Sequence, residues 1–347
     1  MLSRVADSLY WMSRYLERAE HTTRLLGVNL NLMLDESAAS AEHRWKRVLQ
    51  ALGNPKGVAW HGDPYELVRA LTFDTGNKAS ILSLLIAARE NSRHVREQIS
   101  TEQWHRLNSL YLQVTHPDLQ RRKQPGTISN EPDQPTEFLQ QVMEAVHQFQ
   151  GVSDSTMSHG EGWQFIQVGR YIERATATAA LLEAYHDDLW GTDSNALDES
   201  LDLTKPAADK PDHERAEGNE YLDWMGLLRS ATAFEAYCKV YTADLTPERI
   251  MEFLLLDEEF PHSLRFSIDS LQHALGAIQH ESGKNRAEPV RRLAGRLQGS
   301  LSYSGVEEIL EGDVIAYLRT IQAQCGEIHN TIYQLYIDYS IQTALAG

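Results

Sequence analysis

Two short runs combine residue types that can hold and move charge. Arg14, Glu17 and Arg18 stand at spacings of three and four, and the same types recur at Arg170, Glu173 and Arg174. On a helix such spacings bring side chains into one neighbourhood. Arginine offers a planar fork of donors that grips a carboxylate or phosphate in bidentate fashion, and a glutamate held beside it can orient a substrate or accept a proton. Glu17 and Glu173 are therefore the candidate catalytic carboxylates. Arg14, Arg18, Arg170 and Arg174, with the adjacent Tyr15 and Tyr171, are the candidate substrate-binding side chains. The competing reading is an ion network between helices that fixes their register. A solvated face would accept Lys, Gln or Glu equally well, so identical triplets imply a constrained environment in either case.

A second cationic group is Arg89-Glu90-Asn91-Ser92-Arg93-His94-Val95-Arg96, in which Arg89, Arg93 and Arg96 form a stripe and Glu90 lies beside His94. Arg89, Glu90 and Arg93 are further candidates for binding an anion, against the alternative of a solvated helix face. Other chemistry has less support. Glu183-Ala184-Tyr185-His186 has the Glu-x-x-His spacing of bundle di-iron sites but stands alone, so no metal is expected. Cys325 precedes His329 by one turn and reads as a packing residue. No glycine-rich phosphate loop occurs, so neither ATP nor any other cofactor is expected to bind this chain by itself.

The elements that must position these groups are helices. Leu2, Val5, Leu9, Met12, Leu16, Ala19, Thr23, Leu26, Leu30 and Met33 recur at alternating steps of three and four, with no Gly or Pro before Gly27. A second long helix repeats the pattern after Gly160 through Phe165, Val168, Ile172, Ala175, Ala179, Leu182, His186 and Leu189. Setting Tyr171 on Tyr15 aligns Arg14-Tyr15-Leu16-Glu17-Arg18-Ala19 with Arg170-Tyr171-Ile172-Glu173-Arg174-Ala175. Trp45 then answers Trp224, Asp74 answers Asp257 and Ser80 answers Ser263. The expected fold is all-α: an internally duplicated multi-helix bundle with long antiparallel helices. It forms a single domain over 1-347, with pseudo-repeats at about 1-115 and 157-302 and a long C-terminal helix at about 306-344.

Further helices are expected at roughly 41 to 52, 64 to 72, 77 to 99, 102 to 114, 137 to 149, 220 to 242, 247 to 255, 262 to 281 and 287 to 301. Residues 191-219 hold eight acidic against three basic residues, two prolines and no aromatics, which reads as a disordered acidic insertion. The proline-rich stretch His116 to Pro135 reads as an exposed connection. The large aromatics, Tyr10, Trp11, Trp45, Trp60, Trp104, Trp163 and Trp224 among them, are assigned to packing.

The 347 residues carry 32 Lys and Arg against 49 Asp and Glu, a formal net charge of -17. The field repels phosphate backbones, so nucleic acid is not an expected partner. Two cysteines are too few for a disulfide framework, and no apolar stretch reaches the length of a membrane span or a secretory signal. These features point to a soluble protein of the reducing cytoplasm.

The duplicated Arg-Tyr-(Leu/Ile)-Glu-Arg-Ala, the opening Leu2-Ser3-Arg4-Val5-Ala6-Asp7-Ser8-Leu9-Tyr10-Trp11 and the run Ala88-Arg89-Glu90-Asn91-Ser92-Arg93 resemble the bacterial alpha-E family. The resemblance covers most of the chain, and the acidic insertion looks like an addition to it. It implies a helical partner of circularly permuted ATP-grasp ligases, with transglutaminase-like and proteasome-like proteins in the same system, and hence a role in making or modifying amide-linked peptides. Two alternatives stand beside that expectation: a transferase acting on a peptide or aminoacyl substrate, and an assembly scaffold.

Overall fold

A computed structural model of the protein describes residues 1–33, 38–115, 134–189, 212–242, 244–282 and 287–338. These form fourteen α-helices, with no strand among the described residues. In chain order they are α1 (Ser3–Leu32), α2 (Ala38–Ala51), α3 (Pro64–Phe73), α4 (Ile81–His94), α5 (Thr101–Thr115), α6 (Gln134–Thr156), α7 (Glu161–Leu189), α8 (Asp212–Ser230), α9 (Phe234–Tyr241), α10 (Pro247–Leu256), α11 (Leu264–Ser282), α12 (Glu288–Tyr303), α13 (Val306–Glu311) and α14 (Val314–Ile332). A π-helical turn, Tyr333–Asp338, follows.

The two long helices α1 and α7 form the centre. The heptad residues of α1 from Leu9 to Leu30 are buried, whereas Leu2 is 72% exposed and Val5 only half-buried. Helix α7 buries Phe165, Val168, Ile172, Ala175, Ala179 and Leu182 on one side, and Ile166, Leu181 and Ala184 on others. A helix apolar around most of its circumference belongs inside a bundle. Accordingly α4 and α6 cover α1, while α11 and α14 cover α7.

Helices α5 and α6 run antiparallel, and so do α11 and α12. Gln103 of α5 bonds Ser153 of α6 while Arg106 reaches Gln148, and Gln298 of α12 bonds Asp269 of α11 while Arg291 reaches Gln279. The central pair departs from the expected antiparallel arrangement. Ser13 donates to the Ile166 carbonyl (2.7 Å), Arg18 reaches Glu173, and Leu32 and Tyr185 both lie against Gly226, so α1 and α7 advance in the same direction. A short loop forces its helices to reverse, but the intervening α2–α6 leave this pair free to run parallel.

The closest approach is at Gly169. A Cβ there would lie 2.4 Å from the Tyr10 carbonyl oxygen and 3.1 Å from Ser13 Cβ. Glycine is therefore what lets the α7 backbone touch the α1 backbone.

Several boundaries differ from the sequence reading. The helix read at 220 to 242 is two, α8 and α9, separated at Thr232, whose φ of 54° is unusual for a β-branched residue. No Gly or Pro marks that break. The helix read over 306-344 is interrupted at Gly312-Asp313, where the Asp313 carboxylate caps α14 by accepting from the Ala316 amide (2.8 Å). Residues 191–211 of the acidic insertion lie outside the described residues, but 212–219 are the first turns of α8 rather than a disordered segment. The proline-rich stretch lies outside the described residues up to 133, after which α6 begins earlier than expected.

Candidate functional site

The Arg-Glu-Arg triplets of α1 and α7 meet, and they exchange partners. Glu173 receives Arg18 in bidentate fashion, Nε to Oε1 at 2.5 Å and a terminal nitrogen to Oε2 at 3.0 Å, together with Arg14 Nε at 2.7 Å. Reciprocally, Arg174 Nε donates to Glu17 Oε1 at 2.5 Å, and Gln150 of α6 donates to Glu17 Oε2 at 3.3 Å. Each glutamate is therefore held by arginine from the other helix. In-helix pairs at these spacings contribute only about 0.2–0.5 kcal/mol, so buried charge-assisted bonds across the interface, bidentate at Glu173, prevail.

Both carboxylates are buried, Glu17 at 3% and Glu173 at 5% exposure, whereas the Arg18 side chain is 38% exposed. The surrounding groups finish the arginine bonds. Arg174 also donates to the Pro261 carbonyl (3.0 Å), Arg14 donates to the Tyr10 hydroxyl (3.2 Å), and Arg170 donates to Gln167 (3.3 Å). Tyr15 stacks on Trp11 with ring centroids 5.3 Å apart, and Tyr171 meets Phe266 of α11 at 6.1 Å. Neither glutamate lines the surface cavities at α3, at the α7–α11 groove or at the start of α1.

Burial alone would raise both acids, but the arginines outweigh it. Arg14 and Arg18 hold Glu173 down to about 2, and Arg174 keeps Glu17 below the usual carboxylate range. Because the folded-state pKa of Glu173 lies below its ordinary value near 4.5, its stabilisation is complete above that value and lost as pH falls through about 2. Unfolding free energy should fall by on the order of 3 kcal/mol between about pH 4.5 and 2. Urea titrations at a series of acidic pH values check this, and in Glu173→Gln the decline should be shallower.

Next to the exchange lies a polar shell absent from the sequence reading. Glu20 pairs with Arg24 one turn along α1 and accepts from His147 Nε2 of α6 (3.1 Å). Arg24 also reaches Thr232 (3.4 Å), which ties the α8–α9 break to the core. Burial lowers the pKa of His21 and takes that of His262 well below the ordinary imidazole value. The available signal was the continuation of the first motif into Glu20-His21, with Arg24 following at helical spacing.

The other candidates lie elsewhere. Arg89 bonds Glu90 (2.5 Å) and Asn108 of α5 (3.3 Å), with its guanidinium over Tyr111 at 4.7 Å, so it pins α4 to α5. Arg93 pairs with Glu90 (3.0 Å) and is 55% exposed. No hydrogen bond or ion pair among the described residues joins this group to the central exchange. Glu183 accepts from Arg319 (2.7 Å) and Gln322 (2.6 Å) of α14. Burial pushes the Cys325 thiol up to about 12 and His329 down to about 4, and His329 Nδ1 bonds the Tyr10 hydroxyl instead (2.8 Å). Cys325 therefore packs and is not primed as a nucleophile.

Residues 1–337 match the model of a family described as a predicted alpha-helical domain with a conserved ER motif. The chain belongs to the Alpha-E family. Glu17-Arg18 and Glu173-Arg174, the groups exchanged between α1 and α7, are two of the Glu-Arg pairs in this Alpha-E chain. It is similar to uncharacterised proteins of Mycobacterium bovis and of one Mycobacterium tuberculosis strain, each 24% identical over 326 residues, and to one of a second M. tuberculosis strain at 23%. The matches cover 89% of the Alpha-E chain and 33% of each relative, so the chain spans about one third of the length of these curated relatives. No solved structure matches. No described helix is long and apolar enough to cross a membrane.

Proposed function

We propose that the protein is a rigid helical partner of an ATP-grasp amide ligase in a peptide-forming or peptide-modifying system of the cytoplasm. The observation that carries the partner role is the mutual capture of Glu17 and Glu173 by arginines of the opposite helix. A carboxylate buried in an arginine ion pair and held below the usual carboxylate range is a poor general base but a strong register-fixing element. The candidate catalytic and anion-binding residues of the two motifs thus act as an internal clamp that sets α1 against α7 and supports docking on the outer helices.

The ligase as partner rests on the family resemblance. The relatives' length agrees with it, since in them an equivalent segment belongs to a chain about three times as long. Reciprocal capture also supports the duplication, because it is the pattern expected when two copies of one motif pack about a two-fold axis. The N-cap serines that align between the copies agree: Ser80 Oγ accepts from the Ser83 amide (3.2 Å), and Ser263 Oγ from the Phe266 amide (3.0 Å).

The test is co-expression with the ATP-grasp ligase of the same system, followed by size exclusion and an ADP-release assay. Co-elution with a rise in ligase turnover is expected. Separate elution, with turnover indifferent to the protein, would rule the reading out.

A further inference from the structure

The groove between α7 and α11 carries features that the central clamp does not use. It is an open cavity of about 370 Å³, walled by the rings of Trp163, Tyr171 and Phe266 and flanked by Asp269, with Gln164 on the α7 side. We propose that this groove binds a primary alkylammonium group, independently of any ligase partner.

Three observations converge on that chemistry. Asp269 faces no Lys or Arg partner among the described residues; its Oδ1 accepts only from the neutral Gln298 amide (2.8 Å). The other carboxylate at the groove, Glu258, is already neutralised by Arg265 (2.8 Å). Asp269 is thus a negative charge without a counter-ion beside an aromatic wall.

Gln164 is only 6% exposed and its Nε2 donates back to the His159 carbonyl (3.3 Å), while its Oε1 has no hydrogen-bond partner among the described residues. A buried amide oxygen without a donor is costly, and an ammonium supplies three. Finally, aromatic faces attract organic cations, and the alkyl stem of the ligand would lie against those rings. An anion is repelled by the carboxylate, and a neutral alcohol gains neither the ion pair nor the cation–π attraction.

Two sources share this ligand chemistry: a free polyamine and a lysine side chain of a peptide. Trp163 Nε1 is also buried without a partner. That donor would take a carbonyl, which a lysyl peptide has and a polyamine lacks.

Calorimetric titration of the full-length protein with n-butylammonium, cadaverine and Nα-acetyl-lysine methylamide tests the site, with n-butanol as the uncharged control. Saturable binding of the amines and none of butanol is expected, with the tighter of cadaverine and the lysine amide assigning the source. Asp269→Asn should weaken amine binding about tenfold or more, the effect of losing a charge-assisted hydrogen bond. Gln164→Leu should weaken it by several-fold, and both variants should keep the thermal midpoint of the parent. Butanol binding as tightly as butylammonium, no saturable amine binding, or amine affinities within twofold of the parent in both folded variants would overturn the proposal.

Discussion

Replacing Glu173 by glutamine is expected to lower the unfolding free energy by about 3–5 kcal/mol, read from urea denaturation at neutral pH. The carboxylate spreads its charge over three bonds from two arginines on the neighbouring helix. A glutamine offers one acceptor oxygen and directs its amide donors at guanidinium groups that can accept nothing. Arg18, 38% exposed, can recover water, but the Arg14 side chain is 11% exposed and cannot. Its charge would remain in the core without a counter-ion, bonded only to the neutral Tyr10 hydroxyl and the glutamine. Glu17→Gln should act in the same direction, since Arg174 is buried and Gln150 is the other side chain bonded to Glu17. Glu90→Gln is the contrasting case. That residue pairs with Arg93 on a solvated face, and its loss should cost under about 1 kcal/mol. If Glu17→Gln and Glu173→Gln both left stability unchanged, the clamp would be wrong and a functional role for these carboxylates would regain its force.

The second large effect belongs to Gly169. Any larger residue there places a Cβ 2.4 Å from the Tyr10 carbonyl oxygen, a contact with backbone and not with the end of a flexible side chain. Relief requires separating α1 from α7, which would stretch the arginine–glutamate bonds one turn away. Gly169→Val should therefore cost at least about 3 kcal/mol, at the upper end of overpacking effects, and Gly169→Ala somewhat less. Gly27 supplies the control within the same pair of helices. A Cβ at Gly27 meets nothing within 4 Å, so Gly27→Ala should stabilise by about 0.5–1 kcal/mol through helix propensity. Thermal and chemical denaturation of the two alanine variants should shift in opposite directions.

Some of this was readable from residue order alone because the signal is local. The alternating three-and-four spacing from Leu9 to Leu30, the Asp63-Pro64 start of α3 and the recurrence of Arg-Tyr-(Leu/Ile)-Glu-Arg-Ala are visible within a window of a few turns. The Gly312-Asp313 break was equally local, a cap signature submerged in a long apolar pattern. The break at Thr232 was not. The sequence Ser230-Ala231-Thr232-Ala233 has no helix breaker, and its left-handed turn is held by Arg24, more than two hundred positions away along the chain.

The amino-acid sequence by itself determined that the chain is helical, that two of its helices carry the same charged triplet, and that those triplets sit in a constrained environment. Only the tertiary structure decided which carboxylate each arginine serves. Spacing along one helix puts each glutamate within reach of its own triplet's arginines, where a solvated pair is worth a few tenths of a kcal/mol, and it does not say which helix supplies the partner. Packing α1 parallel to α7, with Gly169 allowing backbone contact, put Glu173 between Arg14 and Arg18 and Glu17 against Arg174, out of water. There each ion pair is stronger and a missing partner far more costly, because the low-dielectric interface and not the helix spacing sets the energy.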